Sequence, residues 1–303
     1  MMSSNDLKIS IIIPFSGNLN DLSECLKGIQ NQNFSFPFEV IVIESVNDPG
    51  IKQIINLNPD IKFISFDSVI YPGKARNLGV KNSNSDLLAF IDADCIPSVN
   101  WLSEIYSSLK KEYEIVIGPV INLFPFHPLA SIDNLLQFPD FQKYRKSGKI
   151  THFPACNLGI TRKLFYKTNG FPEDISIGED VKFSQRAISL CNGRIFYNKK
   201  LIVSHGGRKS LKAFTEHNRG LGFYRGYLNL KITSKKSKFR KTTLYAVLFG
   251  VKRFFYITFR TAQWNPFSLL RVIFFFPFLI LGLSAWVNGF REGNIKFING
   301  EKI

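Results

Sequence analysis

Apolar residues along this chain follow two different periods before they become nearly continuous near the C-terminus. Ile9 to Ile13 is an unbroken β-branched run stopped by Pro14, which reads as a strand buried on both faces. Val40 to Ile43, Ile61 to Ser65 and Leu87 to Ile91 repeat that signature. Between them the period changes. After Asp21, the residues Leu22, Cys25, Leu26 and Ile29 fall at i, i+3, i+4 and i+7, the stripe of an amphipathic helix. Gly73 to Val80 reads as a second helix, and Leu102, Ile105, Tyr106 and Leu109 mark a third. Strands alternating with helices predict an α/β domain built on a mainly parallel sheet flanked by helices. Ligands of such sheets sit beyond the carboxyl ends of the strands, which singles out Pro14 to Gly17, Glu44 to Asp48 and Asp92 to Pro97.

The C-terminal part follows another logic. Leu244 to Trp264 is rich in aromatics but carries Lys252, Arg253 and Arg260, so it reads as an amphipathic helix lying at a membrane interface. Phe267 to Val287 has a single charge, Arg271, and at 1.5 Å per residue is long enough to cross a ~30 Å hydrocarbon core as a transmembrane helix. The expected division is a catalytic-type domain over 1–230 and a basic juxtamembrane segment, interfacial helix and hydrophobic anchor over 231–303.

Composition sharpens this picture. With 45% hydrophobic and 20% charged residues, the chain is not intrinsically disordered. Cys25, Cys95, Cys156 and Cys191 are scattered with no Cys-x-x-Cys pair, against a zinc ribbon or a disulfide-stapled fold. The net charge of +16 is concentrated: Lys199 to Lys241 holds thirteen Lys or Arg and one acid, Glu216, giving +12. The run ends in Lys231, Lys235, Lys236, Lys238, Arg240 and Lys241, directly before the apolar segment. That position favours anionic membrane lipids over nucleic acid as the partner. The N-terminus leads into a strand without a signal-peptide core, so the body is expected on the cytoplasmic side of the cell membrane.

Two acidic motifs carry the candidate chemistry. In Phe90-Ile-Asp92-Ala-Asp94-Cys-Ile-Pro97, two carboxylates leave the sheet at the end of a buried strand. Hard oxygen ligands of this kind suit Mn²⁺ or Mg²⁺, which in turn bridges phosphate oxygens. In Gly178-Glu179-Asp180, adjacent acids open a helical stretch, and one of them is a candidate for taking a proton from an attacking hydroxyl. A nucleotidyltransferase would need a basic phosphate loop after the first strand, and Pro14 to Leu19 contains no Lys or Arg. An aspartyl phosphatase would need Gly-Thr where Cys95-Ile96 stands.

The ordered set IIIPF (Ile11 to Phe15), EVIVIES (Glu39 to Ser45), PGKARNLGV (Pro72 to Val80), FIDADCIP (Phe90 to Pro97), NLGITRKLFYKTNGF (Asn157 to Phe171) and GEDVKFSQRA (Gly178 to Ala187) resembles the family 2 inverting glycosyltransferases. The resemblance implies their Rossmann-like GT-A fold, a nucleotide-sugar donor carrying UDP, and transfer to a saccharide or lipid-linked acceptor in cell-surface saccharide or glycolipid synthesis. It assigns Asp92 and Asp94 to the metal and donor diphosphate, with His205 completing the metal site. Asp180, beside Glu179, falls at the general base. Pro14, Phe15, Glu44, Arg76 and Asn157 fall at the nucleotide-sugar pocket, and Arg219 and Arg225 at a segment contacting diphosphate or acceptor. This chain departs from the pattern at Glu44-Ser45-Val46-Asn47, where an Asp with a following Gly is usual. It lacks the Gln-x-x-Arg-Trp of processive synthases, which implies single transfers. The stretch Asn122 to His152 is aromatic, rich in loop signals and expected to shape the acceptor side. The competing expectation is an inactive scaffold of the same fold that binds anionic lipid.

Overall fold

The structure is a computed structural model describing residues 7–45, 48–146, 149–233 and 238–300, with the side chains of 229–233 and 238 excepted. Val46 and Asn47, and the side chains of Lys231, Lys235, Lys236 and Lys238, therefore lie outside the described residues. The chain divides into two compact units, one from Met1–Val120 and Ser147–His205, the other from Ile121–Lys146 and Gly206–Ile303. The expected boundary at residue 230 falls inside a long helix of the second unit.

In the first unit β1 (Ile9–Phe15), α1 (Leu19–Gln30), β2 (Phe38–Ser45), α2 (Ile51–Leu57), β3 (Lys62–Phe66), α3 (Pro72–Lys81) and β4 (Leu87–Phe90) alternate as the apolar pattern predicts. They are followed by β5 (Cys95–Pro97), α4 (Trp101–Lys110), β6 (Ile115–Ile117) and β7 (Val120–Asn122), which leads into the second unit and the helix α5 (Pro128–Gln137). The chain returns through β8 (Leu158–Thr161), α6 (Arg162–Lys167), α7 (Glu179–Leu190), β9 (Ile195–Tyr197) and β10 (Val203–His205). Seven strands form one sheet in the order β3-β2-β1-β4-β8-β6-β9. All pairings are parallel except those of β8, which runs antiparallel to both β4 and β6. The interior runs of β1 and β2 are buried at nearly every position, as strands covered on both faces must be. Ile41 and Ile43 pack with Ala75 of α3, and Leu22, Cys25, Leu26 and Ile29 bury the predicted stripe of α1. Beside this sheet, β10 pairs antiparallel with β5 and sets His205 directly opposite Cys95.

The second unit is helical: α5, α8 (Leu211–Thr233), α9 (Thr243–Trp264), α10 (Ser268–Phe274) and α11 (Phe276–Ile298). One expectation is extended here and another corrected. Inside the loop-rich stretch Asn122 to His152 the chain also forms α5, whose Leu129, Ile132, Leu135 and Leu136 pack with Phe214, Ile257, Val272, Leu279 and Leu283. The Phe267–Val287 span is not one helix. It breaks at Phe275 into α10 and α11, bent by 83°. Pro277 in the first turn of α11 supplies no N–H and starts a helix rather than continuing one. Among the described residues no single helix is long and apolar enough to cross a membrane, and only this bent pair passes on length and composition. Helix α11 instead lies hard against α8. A Cβ on Gly222 or Gly226 would overlap the carbonyl oxygens of Trp286 or Phe290, and one on Gly289 or Gly293 those of Arg219 or Phe223.

Candidate active site

The site forms where β1 and β4 end side by side. β4 stops at Phe90, and the chain turns through Asp92 to Cys95 with Cys95 N–H donating to the Asp92 carbonyl at 3.0 Å. That turn presents Asp92 and Asp94 at the rim of a cleft lined by Pro14, Phe15, Ser45, Ile70, Ala75 and Arg76. Pro14, Phe15, Arg76, Asp92 and Asp94 are thus gathered as the sequence implied.

Arg76 organises the carboxylates. It projects from α3, 3% exposed, with Nη2 2.6 Å from Asp92 Oδ1 and Nη1 2.7 Å from Glu179 Oε1. The Phe171 ring lies 5.3 Å from its guanidinium carbon and stacks on Phe183 at 4.0 Å. The two anions push the guanidinium pKa above its ordinary value, outweighing desolvation, the largest single influence, which acts downward. Arg76 was expected to contact nucleotide. It lines the cleft, held by Asp92 and Glu179, the kind of partners a buried cation requires.

The other two acids face different surroundings. α7 begins at Gly178, whose φ of 86° is open to glycine, so that Glu179 and Asp180 occupy the first turn. Glu179 is 6% exposed and paired with Arg76. Asp180 is only partly exposed, and its carboxyl pKa is raised from 3.8 to about 7. Burial of the carboxyl dominates, the Glu179 charge adds to it, and Arg76 and the Val181 N–H oppose it.

Across the β5–β10 pair, directly opposed residues project on the same face. His205 Nε2 comes within 3.4 Å of Asp94 Oδ2, and Cys95 Sγ within 3.7 Å of Asp94 Oδ1. The ligand atoms of Asp94, Cys95 and His205 all lie within 4.8 Å of one another, a donor set that fits one divalent cation. Cys95 was not anticipated as a donor; its position directly after the Asp-x-Asp was the available signal. Cys25 and Cys156 are buried nearby and feel both aspartates, and burial is the largest influence raising the Cys25 thiol.

Four other expected site residues are not among those lining this cleft. Asn157 is wholly buried: its amide donates to the carbonyls of Pro119 and Leu201 at 2.9 and 2.8 Å, and its oxygen accepts from Trp101 Nε1 at 2.9 Å. It ties core segments together and has no amide hydrogen left for a sugar. Glu44 is also fully buried and accepts from the Asp48 N–H and the Ser65 hydroxyl. Arg219 and Arg225 lie on α8 in the second unit, exposed, and Arg219 is paired with Glu292 at 2.7 Å.

The sequence matches the model of the family described as Glycosyl transferase family 2 over residues 10–168. It is 25% identical over 185 residues to Glycosyltransferase AglE of Haloferax volcanii, covering 59% of this chain and 60% of that one. It is 37% identical over 193 residues to an uncharacterized glycosyltransferase of Rickettsia bellii, covering 58% of this chain and 25% of the other. The alignments thus span 60% or less of these relatives' lengths. Among solved structures, TarS 1-349 of S. aureus in complex with UDP-GlcNAc matches at a TM-score of 0.56 and 15% identity, over 97% of this chain and 93% of that one. The mannosyltransferase PcManGT from Pyrobaculum calidifontis, in complex with GDP-Man and Mn²⁺, matches at 0.60 and 12%, over 97% and 88%. At such identities the two structures establish a common fold. Because the family match takes in the strands, the cleft and the paired aspartates, over more than half of the 303 residues, this chain belongs to glycosyl transferase family 2.

Proposed function

We propose that the chain moves a sugar from a nucleotide-diphosphate sugar, a UDP-sugar, to an acceptor hydroxyl with inversion at the anomeric carbon. It does so at the cytoplasmic face of a cell membrane, in the synthesis of a cell-surface saccharide or glycolipid. The observation that carries this reading is the closeness of Asp94 and His205 at the cleft rim, with the proton-accepting Asp180 electrostatically linked to Glu179 and to Asp92 of the same Asp-x-Asp turn.

Pro14, Phe15 and Ile70 give the cleft an apolar wall for a nucleoside. Asp94 and His205 would hold Mn²⁺ or Mg²⁺, which when bound supplies Lewis-acid neutralisation of the leaving diphosphate, while the buried Cys95 thiol is a soft donor that suits neither ion. Asp92, fixed through one oxygen by Arg76, offers the other to donor hydroxyls. Asp180 removes the acceptor proton as that oxygen attacks the anomeric carbon, and the bonding pair to the old glycosidic oxygen leaves with the nucleoside diphosphate. A base of pKa about 7 suits this role at neutral pH, half ionised yet basic enough to accept the proton. The UDP-GlcNAc and GDP-Man held by the two structural relatives support a nucleotide-diphosphate-sugar donor, and the Mn²⁺ in one of them supports a divalent metal.

The test is binding of UDP, GDP, CDP and dTDP to the purified chain with and without Mn²⁺. One nucleotide should bind in a Mn²⁺-dependent way, and Asp94→Ala should weaken that binding by about 10- to 100-fold, as loss of a metal-site residue does. No binding of any nucleotide by folded protein would sink the donor reading and favour a scaffold.

A further inference from the structure

We infer that the second unit docks on one leaflet of an anionic bilayer through a single apolar face, without crossing it. This rests on the proposal that the chain works at a membrane, but not on its catalytic reading.

Helix α9 has two apolar sides. Ala246, Gly250, Ile257, Thr261 and Trp264 are buried within the unit. At 100° per residue, Leu244, Val247, Leu248, Val251, Phe255 and Phe259 fall within an arc of about 120° on another side. All six are exposed, Phe255 to 65% and Phe259 to 63%. Leu270, Ile273 and Phe274 of α10 and Phe276 and Ile280 at the start of α11 are exposed as well, Phe274 to 76%. A soluble monomer rarely leaves so many large apolar side chains in water, so this face has an occupant.

Charge identifies the occupant. No Asp or Glu occurs between Glu216 and Glu292, while thirteen Lys or Arg do. Lys252 is exposed on α9, and Arg240 and Lys241 immediately precede that helix. Exposed aromatics on α9 and α10, which carry only cations, fit the boundary of a bilayer with acidic headgroups. An acidic protein partner would answer the cations but not the width of the apolar face.

The packing of α11 rules against a span. Beyond Ile280 its exposed positions turn polar, at Ser284, Asn288 and Arg291. Its glycines lock it onto α8, which carries Lys212, Glu216, Arg219 and Arg225. Drawing α11 through hydrocarbon would drag these charges with it or break the glycine contact, and charges at the centre of a bilayer are strongly disfavoured.

The experiment is flotation of the full chain with phosphatidylcholine vesicles, with and without 30% phosphatidylglycerol, followed by alkaline carbonate extraction. The partner variant is Phe255→Asp/Phe259→Asp. Binding should require the anionic lipid, fall at least tenfold in the double variant, and be released by carbonate. Carbonate-resistant binding would overturn the one-leaflet reading in favour of a span. A parent that ignores both vesicles and is a dimer split by the double variant would overturn it in favour of a second copy. Mn²⁺-dependent UDP binding is measured on both proteins. It should be equal in the two, and its failure in the parent would strike the donor reading while leaving the flotation result intact.

Discussion

Asp180→Asn should lower turnover by at least about 10²- to 10⁴-fold while leaving Mn²⁺-dependent nucleotide binding within twofold, because it removes a proton acceptor and keeps shape and hydrogen bonding. The parent's kcat/KM should rise with pH through an apparent pKa near 7, and the residual activity of the variant should lose that rise. Stability should move the other way. A carboxyl whose folded pKa is raised binds more protons in the native than in the unfolded state, where its value is about 3.9. Its stabilising contribution is complete below that value and is lost as pH climbs through about 7. The amide carries no such penalty, so Asp180→Asn should melt above the parent at pH 8, with the gap closing toward pH 4. Undiminished turnover in the variant would remove Asp180 from the mechanism.

Arg76→Met should be the most damaging change to the unit itself. It strips the cation from Asp92 and Glu179 and leaves Glu179, only 6% exposed, as an uncompensated charge. Breaking a buried pair from one side costs about 3–5 kcal/mol, so a marked fall in melting temperature is expected. Glu179→Gln in the same background should recover part of it. Arg76 also opposes the forces that raise Asp180, so whatever activity survives should titrate above 7 rather than near it. An unchanged melting temperature together with an unchanged pH profile would show that Arg76 is neither the support nor the electrostatic control described above.

The strands and helices of the first unit were readable because their signals are local. Ile9 to Ile13 and Val40 to Ile43 can be satisfied only by burial on both faces, and the stripe on α1 names its own buried side. The Asp92–Asp94 pair could be placed at a strand end for the same reason. The helix within Asn122–His152 was missed because aromatic and turn-forming residues outweighed a short amphipathic pattern, whose meaning depends on partners some 80 to 150 residues away, such as Phe214 and Leu279. The supposed span misled because hydrophobicity does not say what it packs against. The Trp286 and Phe290 side chains pack with Ala246, Tyr245 and Phe249 of α9.

The sequence by itself therefore determined the α/β alternation, the cleft at the strand ends and the acids that border it. Tertiary structure alone decided what each of those residues does. Arg76 and Glu179 are 103 residues apart in the chain, and Cys95 faces His205 only because β5 and β10 pair. Which acid remains a usable base is set by long-range folding too: Arg76 pairs with Glu179, while burial and the neighbouring Glu179 charge raise Asp180 to about 7 against the opposing pull of Arg76. Periodicity records which way a side chain faces within its own element, whereas charge and protonation depend on what long-range folding sets beside it.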